Sequence, residues 1–382
     1  MASAIPQQRL AEIVREARSR SGVPAVAAGL LVGDQVELAA DGPVEVETPF
    51  RIASITKWFT ASLAALLLDL EAPSGSGGAS PGRLLSHTAD LRPNSRDLLP
   101  EACRGLWSYS NAGFVLAGRE CAAVAGTSFS AAVRERLLEP LGLERTSFEE
   151  PADAAPGHVQ SGATGHRPVS EVPYPEPRRP AGGLWSTVGD LLRFAAHQLG
   201  GPGPLSEAHL GAVHEPRAAA LGGRYCLGCW SRQLAGGRPA LDHEGSVGGY
   251  QSLLLLVPDE EAALAVLTNS WRGSGLIRRV VRELGLVPAP VEGADGAQVE
   301  VGRYALDDAL AVVEDHGGRW RVAESETDPL TGLRIERPEH GLDALGGGVY
   351  GFAGGLLMSH RVDFPREGVA RVGWTALPAA GS

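Results

Sequence analysis

The sequence predicts an α+β fold: an antiparallel β-sheet flanked by helices, with an inserted mainly helical subdomain, followed by a small C-terminal β-domain. Three observations carry this. Two strand-like runs, "AVAAGLLV" and "QVELAA", meet at a Gly33-Asp34 turn, and strand patterns return from about residue 224 to 269. Residues 54 to 200 between them are dominated by helical periodicity. Beyond residue 298, segments such as "ALAVVEDHGGRWRVAE" and "GGVYGFAGGLLMSHRVDF" read as short strands with tight turns.

Taken in order, Leu10, Ile13, Val14 and Ala17 mark an amphipathic first helix. No positive segment with an apolar core precedes it, so a secretory signal is not expected. After the first two strands, Ile55, Phe59, Leu63, Leu66, Leu67 and Leu70 recur at roughly helical spacing from Ser54 onward. A second apolar helix follows Tyr109-Ser110-Asn111 and runs to about Ala125. "LDHEGSVGGYQSLLLLVPDEEAALAVLTNS" reads as two adjacent strands turning at Pro258 and Asp259, and the helix "GLIRRVVRELGL" closes the unit. These elements place a first domain at 1–286, a Pro-, Gly- and acid-rich linker at 287–298, and a β-rich accessory domain at 299–382.

The chain has 382 residues with 43% hydrophobic content, enough for two domains. A net charge of −11, with only short basic pairs such as Arg178-Arg179 and Arg278-Arg279, excludes a nucleic-acid binder. No run of 18 uncharged apolar residues suggests a membrane span, and the expected location is cytoplasmic. No cofactor loop is present, and no metal motif. Cys226 and Cys229 form a C-x-x-C without a second such pair; on a strand they would point to opposite faces, so all four cysteines are expected to be reduced and structural. His87 and His214 lack metal-ligand spacing and read as turn or capping residues.

The basic residues carry the functional signal. Of 34 lysines and arginines, 33 are arginine, and the single lysine is Lys57. An ammonium can lose its proton when burial or neighbouring charge lowers its pKa, whereas guanidinium cannot act as a base. Lys57 lies three residues after Ser54 on the predicted helix, so its amine reaches the serine hydroxyl from the same face. A serine nucleophile needs such a base beside it, and a helix start favours the developing anion. Alone, Ser-x-x-Lys is a weak pattern. Tyr109 and Asn111, one residue apart, offer a phenol for proton transfer and an amide for substrate; the bland alternative is a half-buried aromatic and an N-cap. His243, Glu244 and Gly245 stand at the front of a strand, where glycine suits a close backbone approach.

Together, Ser54-Ile-Thr-Lys57, Tyr109-Ser-Asn111 and His243-Glu-Gly245 resemble the three motifs of the serine β-lactamase and penicillin-binding-protein superfamily. The resemblance runs from about residue 22 to 270, in the right order, and is greatest to the class C-like branch. That branch also holds D-alanyl-D-alanine carboxypeptidases, D-aminopeptidases, family VIII esterases, and some acyltransferases and peptide cyclases. "LLSHTADL", "AVRERLLEPLGLERTSF" and "PAGGLWSTVGDLLRFA" are similar to family sequence as well. The class A pattern of Ser-Asp-Asn with Lys-Thr-Gly is absent, and histidine stands where β-lactamases usually carry the third-motif lysine.

The resemblance implies an acyl-enzyme on Ser54, with Lys57 and Tyr109 sharing the proton transfers. Asn111 would bind a substrate amide, and His243 and Gly245 would line the substrate site. The backbone N–H groups of Ser54 and Ser246 would hold the oxyanion. It implies no cofactor and no metal. The expected substrate is a small molecule or short peptide, foremost one containing D-amino acids; an esterase, an acyltransferase or peptide cyclase, and a non-catalytic binding protein are the alternatives. Related enzymes often carry a lipocalin-like barrel as C-terminal domain, which leaves room for a homo-oligomer.

Overall fold

The computed structural model describes residues 5, 9–73, 78–161, 165–169, 173–291, 299–307, 309–316, 319–327, 334–346, 349–351, 361–372 and 375–380. Residues 292–298 of the expected linker lie outside the described residues. An eight-stranded sheet organises the first 286 residues. From one edge its strands run Gln35–Asp41, Val26–Val32, Ala262–Thr268, Tyr250–Val257, Arg238–Val247, Trp230–Leu234, Gly223–Tyr225 and Ala218–Ala220. Every neighbouring pair is antiparallel.

Both faces of this sheet are covered, which explains why its central strands read as nearly continuous apolar runs rather than alternating ones. Leu253, Leu255, Leu264 and Val266 face one core, where the first helix (Leu10–Ser21) contributes Leu10, Ile13, Val14 and Ala17. The closing helix (Gly273–Glu283) adds Leu276, Ile277, Val280 and Val281 on the same side. Leu254, Leu256, Ala265 and Leu267 face the helical insert on the other. At its centre lies the helix Thr56–Leu67, buried over Thr56–Ala65. A helix apolar on all sides can only be stable inside a core, so Lys57, on its first turn, is held there by the packing of its neighbours.

The C-terminal strands form sheets of four and five antiparallel strands in sequence order, and an antiparallel bridge between Tyr304 and Ala379 joins first strand to last. Their core includes Leu99 and Cys103 from the helical insert. The Ala376 N–H also donates to Ser108 Oγ at 3.2 Å, immediately before Tyr109. A second attachment is ionic. Asp242 and Arg232 form a fully buried ion pair, and burial that pushes the Asp242 carboxyl up is opposed by the charges of Arg232 and Arg361. Arg361 belongs to the C-terminal strands and donates to the Leu221 carbonyl at 2.9 Å. Removing one partner from buried charges leaves the remaining charge undercompensated. Arg361→Met is therefore expected to cost roughly 2–4 kcal/mol, read as a lower urea midpoint at pH 7; an unchanged midpoint would mean that Arg232 alone satisfies Asp242.

Candidate active site

The turn that presents Ser54 is strained. Ala53 has φ of 48°, a left-handed conformation that costs a residue with a side chain free energy. Two contacts hold it there. The Ser252 hydroxyl donates to the Ile52 carbonyl at 2.9 Å. Gly245, paired with Ser252 in the adjacent strand, lets the turn lie directly on the sheet: a Cβ there would come within 2.3 Å of the Ile52 carbonyl oxygen and 2.2 Å of Ser252 Oγ. Glycine at this point of the third motif is a requirement of space. Ser54 then falls in a short 3-10 segment, Ala53–Ile55, that leads into the helix at Thr56.

Lys57 is completely buried, and its Nζ lies 3.1 Å from Ser54 Oγ. The same amine donates to the Ala181 carbonyl at 2.5 Å and sits 4.8 Å from the centre of the Tyr109 ring. Burial, with a smaller contribution from the Arg178 charge, holds its pKa well below the ordinary lysine value. Tyr109 is shifted the opposite way: burial raises its phenol, and a hydrogen bond with Ser54 only partly offsets that rise. Burial thus favours the uncharged form of both groups, the amine of Lys57 and the intact O–H of Tyr109.

The second motif runs through the start of a helix, Asn111–Ala125. Ser110, not Asn111, is its N-cap, with Oγ accepting from the Gly113 N–H at 3.2 Å. Asn111 is thereby released from capping, and its Nδ2 donates to Asn94 Oδ1 at 3.0 Å. His243 is fully buried in the third motif, and Ser246 on the same strand is exposed, accepting from Gln251 Nε2 at 2.7 Å. The His243 Nδ1–H donates to the Glu244 carbonyl at 2.6 Å, which leaves Nε2 to accept from the Tyr225 hydroxyl at 3.2 Å. Burial and the nearby Lys57 push its pKa down to about 3. It is a neutral ring, not a cation.

The seven residues singled out from the sequence thus lie on three neighbouring pieces of chain: the turn and first helical turn at 54–57, the helix start at 109–111, and the strand at 243–246. Sequence reasoning missed others. His87, read as a turn or capping residue, is also buried, its ring 4.2 Å from that of Tyr109, and its Nδ1 accepts from the Ser110 N–H at 3.0 Å. The backbone there does turn, with φ of 60°. Tyr225, Trp107 and Trp230 complete an aromatic cluster around Tyr109. Cys226 and Cys229 occupy a turn between strands, so their side chains meet instead of diverging, and both are reduced. His214 packs edge-on against Trp58. Among the described residues no cluster of His, Cys, Asp or Glu could hold a metal ion, and no helix is long and apolar enough to cross a membrane.

The family model for beta-lactamase matches residues 10–284. The chain belongs to the beta-lactamase family. Members of this family are typically hydrolases. Penicillin-binding protein 4 of Amycolatopsis lactamdurans is 28% identical over 335 residues, covering 70% of this chain and 86% of that one. Among solved structures, SurE superposes with a TM-score of 0.71 at 22% identity over 97% of this chain and 98% of its own, C-terminal strands included. A D-stereospecific amidohydrolase from a Streptomyces species superposes with a TM-score of 0.62 at 23% identity over 72% of this chain and 98% of that one. These likenesses agree with the expected α+β fold with its large antiparallel sheet flanked by helices.

The buried histidines set an acid limit on this family member's stability. His87 is held well below the ordinary value of 6.5, His214 at about 4 and His243 at about 3, each chiefly by burial. In the unfolded chain each protonates near pH 6.5, so unfolding takes up protons below that pH. Stability is complete above the unfolded value and is lost as pH falls from about 6.5 toward 3, by roughly 1.4 kcal/mol per pH unit for each histidine. Urea midpoints between pH 7 and 4 are expected to fall accordingly, and His214→Gln, away from Ser54, to reduce the slope by about one proton; an unaltered slope would contradict the assignment.

Proposed function

We propose that the protein is a serine hydrolase that forms an acyl-enzyme on Ser54, acting on amide or ester bonds of small peptides, foremost those containing D-residues. The observation that carries this is the buried Lys57 amine 3.1 Å from Ser54 Oγ. In this reading Lys57, as free amine, takes the Ser54 proton while Oγ bonds to the acyl carbonyl carbon. The oxyanion lies against the backbone N–H groups of Ser54 and Ser246, a type of stabilisation worth about 3–4 kcal/mol per donor. Tyr109 gives its phenolic proton to the leaving group and recovers one from Lys57. Water then enters along the reverse proton path and releases the acid. Asn111 takes an amide of the acyl portion.

His243 serves as a neutral positioning ring, holding Tyr225 on one nitrogen and the strand carbonyl of Glu244 on the other. Two neighbours of the same fold support the D-residue preference: SurE has been crystallised with D-Leu, and the Streptomyces enzyme is D-stereospecific. The C-terminal strands, from about residue 299 onward, are read as an accessory domain packed on the segment that leads to Tyr109.

Hydrolysis of a D-alanyl p-nitroanilide and of a short p-nitrophenyl ester, by wild type and by Lys57→Arg and Lys57→Met, tests this. The expected result is anilide turnover that drops at least ~10²-fold in both variants while the folded fraction is retained. Ester cleavage alone, still dependent on Lys57, would favour an esterase or acyltransferase; full activity in Lys57→Arg would rule out the base. In wild type, kcat/KM should decline as pH falls through the lowered Lys57 pKa, because the ammonium cannot accept the serine proton.

A further inference from the structure

Residues 107–110, which carry Tyr109, belong to no helix or strand, so no regular ladder fixes the direction of the phenol. The peptide N–H groups on either side of Tyr109 both go to one residue. The Ser108 N–H donates to the His87 carbonyl at 3.2 Å, and the Ser110 N–H donates to His87 Nδ1 at 3.0 Å. Ser110 is extended, with φ of −137° and ψ of 112°, and in a strand the N–H groups of residues two apart face the same neighbour. His87 takes the place of that neighbour: its carbonyl serves one N–H, and its ring nitrogen stands where the next carbonyl would be.

Packing alone does not call for an imidazole here. His87 is 2% exposed, and its ring lies against those of Trp107, Tyr109, Phe114 and Tyr225, a setting that leucine or phenylalanine could fill. Because Nδ1 accepts, the ring is neutral and carries its proton on Nε2. That Nε2–H is buried and meets no acceptor among the described residues, a cost an apolar side chain would avoid. The backbone adds a second cost, since φ of 60° is unfavourable for a residue with a side chain. Both are borne at the residue that grips the chain on each side of Tyr109. The other ties to this segment, from Ser110 Oγ to the Arg92 carbonyl at 2.8 Å and from the Ala376 N–H to Ser108 Oγ, hold serine side chains rather than the peptide groups.

We propose that His87 is the positioning residue of Tyr109: by accepting the Ser110 N–H on Nδ1 and the Ser108 N–H on its carbonyl, it aims the phenol at Ser54 and at the leaving group. This rests on Tyr109 being the proton donor of the reading above. The position requires an acceptor bonded to Cγ, not an imidazole as such. Asparagine carries Oδ1 at that place and tolerates a left-handed φ. Leucine keeps bulk and the branch at Cγ but offers no acceptor. The two substitutions therefore separate the hydrogen bond from the packing.

The test compares kcat/KM for N-acetyl-D-alanine p-nitroanilide and for the p-nitrophenyl ester of the same acid. Both lead to one acyl-enzyme and differ only in the leaving group: the anilide nitrogen departs with a proton, whereas p-nitrophenolate departs as the anion. Tyr109→Phe is expected to lower the anilide at least about tenfold more than the ester, His87→Leu to reproduce that change in ratio, and His87→Asn to restore the ratio to within about threefold of wild type. A merely structural role would lower both substrates together. A wild-type ratio in His87→Leu, or leucine serving as well as asparagine, overturns the proposal. Amide hydrogen exchange supplies a readout that needs no turnover: the Ser110 N–H is expected to be protected in wild type and His87→Asn and to exchange at least about tenfold faster in His87→Leu. Equal protection in all three overturns the proposal as well. If leucine prevents folding, His87→Gly, which adopts this φ without strain and also lacks the acceptor, takes its place. An unchanged ratio in Tyr109→Phe sinks the proton-donor reading alone, and the exchange contrast then decides for or against His87 as the residue that holds Tyr109.

Discussion

The buried amine of Lys57 has to lie inside an apolar core and still meet the Ser54 hydroxyl, and the surrounding chain is arranged to reconcile these demands. An ammonium so placed would carry a large desolvation penalty, which is relieved by losing the proton. The Ala181 carbonyl accepts one N–H of this amine, and the same nitrogen lies 3.1 Å from Ser54 Oγ. Any loosening that let water reach Lys57 would weaken that penalty and raise its pKa back toward the ordinary lysine value. Close packing around the central helix is thus a chemical condition of the site as well as a source of stability.

The same burial sorts the other titratable groups. Tyr109 keeps its proton and His243 stays neutral for the reason that the Lys57 pKa is lowered, namely that the charged form is the costly one. An intact phenol and an uncharged imidazole can coexist with the buried amine in one cluster because neither has to be ionised at rest. Ring contacts among His87, Trp107, Tyr109 and Tyr225 keep solvent from upsetting that balance.

How much of this was legible in the sequence depended on how local the cause was. Ser54 and Lys57 were legible because helical geometry fixes residues three apart, and Gly245 because a strand edge that admits another backbone has no room for a side chain. The two covered faces of the main sheet showed in the unbroken apolar run from Leu253 to Val257. What stayed hidden depended on contacts distant along the chain. Nothing near Lys57 points to the Ala181 carbonyl as its acceptor, and nothing in "LLSHTADL" says that His87 turns inward onto Tyr109. Cys226 and Cys229 were placed on a strand, whereas the chain turns between them; C-x-x-C spacing alone does not distinguish the two. The C-terminal strands could be read from their turns, but not that Leu99 and Cys103 belong to their core.

That shared core bears on when the protein becomes competent as it is made. A ribosome delivers Ser54, Tyr109 and His243 long before the strands that begin at Gly302, yet Leu99, Cys103 and Asp242 acquire their final surroundings only against those strands. Until then the segment leading to Tyr109 has apolar side chains facing water, and the carboxyl next to His243 lacks the Arg361 charge. Maturation of the site is therefore a late event in synthesis, and a nascent chain holding all three motifs does not yet hold an assembled site.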